Sequence, residues 1–85
     1  MTRHVAGRLE RDGVWVAEEI EATIDRARIS FACTKGEAWM GERHRLTAAD
    51  GRIIEFTVDR KSVYEPDPRG DEEVVEGRLT ADYRD

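Results

Sequence analysis

Apolar residues fall at every second position through several stretches of this chain. Examples are Ile20, Ala22 and Ile24, then Ile29, Phe31 and Cys33, then Ile54, Phe56 and Val58. A period of two is the mark of a strand buried on one face. The runs are separated at short, even intervals by turn signals, namely Asp12-Gly13, Lys35-Gly36, Asp50-Gly51 and the loop Pro66-Asp67-Pro68-Arg69-Gly70-Asp71. That spacing predicts a meander of hairpins.

Loop lengths follow from asking which register gives cross-strand partners the same polarity, since a slip of one residue turns every side chain to the other face. At Asp12-Gly13 a two-residue turn sets Leu9 against Val16 and Val5 against Ile20. At Asp50-Gly51 a three-residue Ala49-Asp50-Gly51 loop is better, pairing Leu46 with Ile54, His44 with Phe56 and Arg45 with Glu55. A two-residue turn at Lys35-Gly36 matches Cys33 with Ala38 and Phe31 with Met40. A tight turn at Arg26-Ala27 matches Ile24 with Ile29, Ala22 with Phe31 and Asp25 with Arg28.

Residues 14–28 also admit a helical reading. Val16, Ile20, Ile24 and Ala27 form one stripe, with Glu18, Glu19 and Glu21 early and Arg26 and Arg28 late, as the helix dipole prefers. No Ser, Thr, Asp or Asn immediately precedes Ala17 to cap such a helix, and the strand reading is preferred. Residues 73–83 complete the set as a last strand. Gly7-Arg8-Leu9 and Gly77-Arg78-Leu79 recur near the two ends, which would suit first and last strands that pair to close a barrel. The expectation is one domain over residues 1–85, mainly β, an antiparallel meander of about six strands forming a small barrel or strongly curved sheet. The alternative is an α+β fold with a helix at about 15–28.

Composition narrows the function. Eighty-five residues hold one modest core and leave no room for a two-domain cleft enzyme. The net charge of -5 argues against broad affinity for nucleic acid. Cys33 is the one cysteine, so internal disulfides and multi-cysteine zinc sites are excluded. With no long apolar run and no hydrophobic segment behind Met1-Thr2-Arg3-His4, the expected location is the cytoplasm. The chain has no Asn or Gln and only two lysines, Lys35 and Lys61, a bias of GC-rich bacterial or phage coding sequence.

Candidate chemistry falls on two faces. On the inward face the register puts Val14 and Met40 among the core residues, and with them Glu42, between Ile29 and Val58, and His44, beside Phe56. Such a carboxylate and imidazole could form an acid/base pair or bind a small ligand. A Cys33–His44 nucleophile pair is disfavoured, because the same register puts the two at opposite ends of the sheet. On the outward face Trp39, Gly41, Arg43, Arg45 and Thr47 line up at period two. An aromatic followed by two arginines could stack a base and hold phosphates, although Glu55 and Asp59 stand opposite. Trp15 and Trp39 turned outward fit a protein interface, with Arg43 and Arg45 beside them. Glu65, Asp67 and Asp71-Glu72-Glu73 form a negative patch, and Arg69-Gly70-Asp71 reads as a solvated turn. No catalytic residue, metal site or cofactor is expected. The resulting expectation is a small non-enzymatic protein-binding module that forms homodimers, in the manner of a bacterial or phage accessory or inhibitor protein. Nucleic-acid binding by a small β-barrel is the alternative, and a small-molecule-binding barrel or minor enzyme a further one.

Overall fold

The structure is a computed structural model that describes residues 2–66 and 68–84; Asp67 of the negative patch lies outside these. It is built of six strands: β1 (Thr2–Arg11), β2 (Val14–Asp25), β3 (Arg28–Thr34), β4 (Arg43–Ala48), β5 (Arg52–Val63) and β6 (Glu72–Arg84). All neighbours are antiparallel, and they close into a barrel in the order β1-β2-β3-β6-β5-β4. Residues 14–25 are strand, so the helical alternative is set aside. No helix among the described residues is long and apolar enough to cross a membrane.

Three turns form as the polarity matching requires. Arg11 faces Val14 across a two-residue turn in which Asp12 and Gly13 both have positive φ, the geometry that matches strand twist. Asp25 faces Arg28 across Arg26-Ala27. The Ala49-Asp50-Gly51 loop ends on a left-handed Gly51 whose N–H bonds Ala48 O at 3.1 Å, and it sets Leu46 against Ile54 and His44 against Phe56.

Past the first turn the register departs from uniform alternation. Two single-residue shifts set Leu9 against Ala17 and Gly7 against Ile20, so Val5 meets Ala22 instead of Ile20. Bulges like these add residues to one strand and increase its twist, and Glu19, inside the second of them, adopts φ 54°. Two shifts together restore the inward face, and Ile20, Ala22 and Ile24 are buried. Before the first shift, next to the turn, Val14 is 57% and Trp15 53% exposed. Val14 is therefore not a core residue. The inserted residues also explain the helical look of this stretch, since they break its period of two.

The Lys35-Gly36 hairpin does not form. The free edge of β3 is taken by β6, with Phe31 opposite Val75 and Cys33 opposite Glu73. Residues 35–42 instead cross one mouth of the barrel to bring β4 beside β1. Ala38 is fully buried in that crossing, and Met40 is 54% exposed, not inward. The first and last strands do not pair either. β1 lies against β4, and β6 against β3 and β5. Exchanging β1 with β4, β2 with β5 and β3 with β6 leaves the pairing unchanged, so the barrel is two three-stranded meanders related by an approximate two-fold. Its interior is filled by Leu9, Ile24, Ile29, Phe31, Leu46, Ile54, Phe56, Val58 and Val75, all at most 3% exposed.

Candidate functional site

The ends of β1, β3 and β5 and the starts of β2, β4 and β6 meet at the mouth crossed by residues 35–42. That crossing is pinned from several sides. Arg11 donates to Glu37 O at 2.6 Å, and its guanidinium lies 3.7 Å from the centre of the Trp39 ring. The Trp39 indole N–H donates to Gly36 O at 3.1 Å. The Glu73 carboxylate, largely buried, accepts from Gly36 N–H at 3.3 Å and pairs with Lys61 Nζ at 3.1 Å. Part of the supposed negative patch is thus neutralised within the fold, and Asp71 O holds Lys35 N–H at 2.8 Å.

His44 fastens the end of the crossing. It is 1% exposed, as period two implied, and its ring stacks on Phe56 with centroids 5.7 Å apart. Its Nδ1–H donates to Glu42 O at 2.9 Å, and its Nε2 accepts Trp39 N–H at 3.2 Å. These two bonds select the neutral tautomer and occupy both nitrogens. Burial lowers the imidazole pKa, with Arg11 nearby acting in the same direction and the Glu42 carbonyl opposing it. Glu42 itself is exposed, because β4 begins only at Arg43. The two therefore do not form an inward acid/base pair. Cys33 and His44 lie toward the same mouth, contrary to the expected scheme. Burial first, then Glu37 and Glu73, pushes the Cys33 thiol up to about 12, so it is held as a thiol, and both nitrogens of His44 are already engaged elsewhere.

The neutral His44 has a consequence for stability. The unfolded chain takes up a proton near the ordinary value of 6.5 while the folded one refuses it. Its contribution is therefore complete above that pH and is lost as the pH falls below it, with a slope approaching about 1.4 kcal/mol per pH unit down to the folded-state value. Urea unfolding of wild type and His44→Phe in steps below neutrality checks this. The variant keeps the ring stack and has no proton to refuse, so its stability should fall less steeply; equal slopes would assign the effect to other groups.

The outward residues are not one ladder. Trp39 and Gly41 lie in the crossing, before β4 begins, and Trp39 carries Arg11 on its face. Arg45 sits between Glu10 on β1 and Glu55 on β5, 3.9 Å from the latter. Asp59 is taken by a two-pronged bond from Arg28, at 2.5 and 2.9 Å, and Arg43 stands opposite Thr57 with no side-chain partner among the described residues. Glu42, Arg43, His44 and Arg45 do border a common open groove of about 400 Å³, together with Glu10, Asp12 and Glu55. Four carboxylates against two arginines make that groove a poor cradle for phosphates. Trp15 lies elsewhere, on the outer face of the β1–β2 hairpin, with the Arg8 guanidinium 5.1 Å from its ring centre.

Arg8 and Arg11 were not among the residues singled out by sequence. Their roles follow from lying on β1 directly across from the start of β2 and beneath the crossing, a placement that local register alone does not reveal. Among the described residues no group of three His, Cys, Asp or Glu is arranged to hold a metal ion. No family model, curated protein or solved structure matches this chain.

Proposed function

We propose that this barrel is a non-enzymatic protein-binding module that self-associates through the mouth carrying Trp39. The observation that carries the reading is the concentration of exposed apolar side chains at that one end. Val14, Trp39, Met40 and Val63 are each more than half exposed there, an arrangement typical of surfaces that bind other proteins. The interior supports the same reading, since it is filled with side chains and its buried histidine and cysteine are both held inert. Glu42 and Arg43 add polarity to the patch. They are adjacent, exposed and without side-chain partners among the described residues. Across a two-fold axis each could meet the other's counterpart, as isologous contacts require.

Mass by light scattering over a concentration series tests this. The expected result is twice the chain mass of 9.7 kDa, returning to the single-chain value in Met40→Glu, which places a charge in the patch without touching the core. Trp39→Ala should act in the same direction. A single-chain mass at millimolar concentration would overturn self-association.

A further inference from the structure

We propose that the groove on the outer face of β1, walled by β2 and β4, docks an arginine- or lysine-rich polypeptide segment. The proposal rests on the reading of the chain as a protein-binding module and gives it a second, chemically different surface. The groove has a volume of about 830 Å³. Its floor is made of small residues, Ala6, Gly7, Ala48 and Ala49, and Trp15 stands at one side. A floor without long side chains lets a partner's backbone approach the sheet closely.

Charge then selects the occupant. Several carboxylates on this barrel are answered within the fold: Asp82 by Arg3 and Arg52, Asp59 by Arg28, Glu55 by Arg45, Glu76 by Arg60, Glu73 by Lys61 and Asp50 by Arg84. Glu18, Glu19 and Glu21 are the contrast. All three are exposed, all three line the groove, and none has a side-chain hydrogen bond or ion pair among the described residues. The one cation of the groove, Arg8, lies against Trp15, which shows that a guanidinium fits that ring and leaves the carboxylates unanswered. A partner with two or three cations would supply what the fold does not.

A second copy is a worse occupant on two counts. It brings its own net charge of -5. Its mouth seated in this groove would also be a head-to-tail contact, which generates open chains of molecules instead of a closed pair.

The test titrates the intact chain with a ten-residue peptide alternating arginine with threonine, and with its glutamate counterpart, in low salt. The Trp39→Phe background makes Trp15 the sole indole reporter. Binding of the basic peptide with a shift in Trp15 emission is expected, with no binding of the acidic one. The triple change Glu18→Gln, Glu19→Gln and Glu21→Gln should weaken it about tenfold or more, and Ala6→Arg, which fills the groove from an exposed position, should abolish it. Thr80→Ala, at an exposed position of β6 outside both surfaces, should leave it unchanged. Absence of binding in low salt, equal binding of both peptides, or indifference to the triple change would overturn the proposal. If wild type still doubles its mass in those cases, the protein-binding reading stands and the groove alone is rejected; if it does not, both fail.

Discussion

Replacing Phe56 with alanine is expected to cost about 3–5 kcal/mol of folding stability, the largest loss from any single side chain of this barrel. Phe56 sits on β5 between His44 on β4 and Leu79 on β6, fully buried. Its ring meets Phe31 edge-on at 5.6 Å and stacks on His44 at 5.7 Å, so it joins strands from both meanders at the centre of the core. Truncation leaves a cavity whose walls are strands paired on both sides, which cannot close in around it. A domain of this size has only about 5–15 kcal/mol in hand. Urea unfolding should show a much lower midpoint at an unchanged slope. A loss under about 1.5 kcal/mol would mean that the core can repack and that the central role assigned to this ring is wrong.

Gly7→Ala should come next, for the opposite reason. A methyl group at Gly7 would run into Thr47 O, and would lie 2.7 Å from Thr47 C and 2.9 Å from Ala48 Cα. All three are backbone atoms with no rotamer to give way, so β1 and β4 must part where the barrel closes. A loss of about 2–3 kcal/mol or more is expected. Gly77→Ala supplies the comparison. There the new methyl meets one backbone atom under 3 Å, Thr57 O at 2.6 Å, with the Phe56 ring edge next at 3.0 Å, against three backbone atoms under 3 Å at Gly7. Thermal melts of the two variants should rank Gly7→Ala as the more damaging, and a reversed order would place the tight closure at β5–β6 instead.

The two glycines show where sequence reading succeeds and where it stops. Their recurrence in Gly-Arg-Leu strings is visible in the sequence, and it does mark close strand approach. It does not say which strands approach, because Gly7 answers to β4 and Gly77 to β5. Polarity matching works for neighbours joined by a tight turn, and so Leu46–Ile54, His44–Phe56 and Ile24–Ile29 are all legible. It fails at Lys35-Gly36, because Ala38 and Met40 continue an apolar alternation that the chain does not use as a strand. The competing partner of β3, Val75 on β6, lies more than forty residues away. The bulges of β2 escape for a different reason: a two-residue shift preserves the inward face while exposing Val14 and Trp15.

The candidate surfaces were legible to the same degree. Period two put His44 inside and both tryptophans outside, and the structure agrees at each. It misplaced Glu42 because it extended β4 backward through residues that form the mouth crossing. The carboxylates of β2 were equally visible in sequence. Their lack of partners was not, since it depends on which arginines the closed sheet delivers to which carboxylates.

The approximate two-fold of the barrel bears on how it is reached. Within each meander every pairing is between consecutive strands, so both halves can assemble early from short-range hairpins. Neither half can bury its apolar face alone, and the two seams between them, β1 with β4 and β3 with β6, join distant parts of the chain. The slow step expected from this topology is the meeting of the two sheets, whose cost is the long loop that each seam must close. Residues 35–42, with Ala38 buried and both His44 nitrogens bonded to this segment, are the hinge across which that meeting occurs.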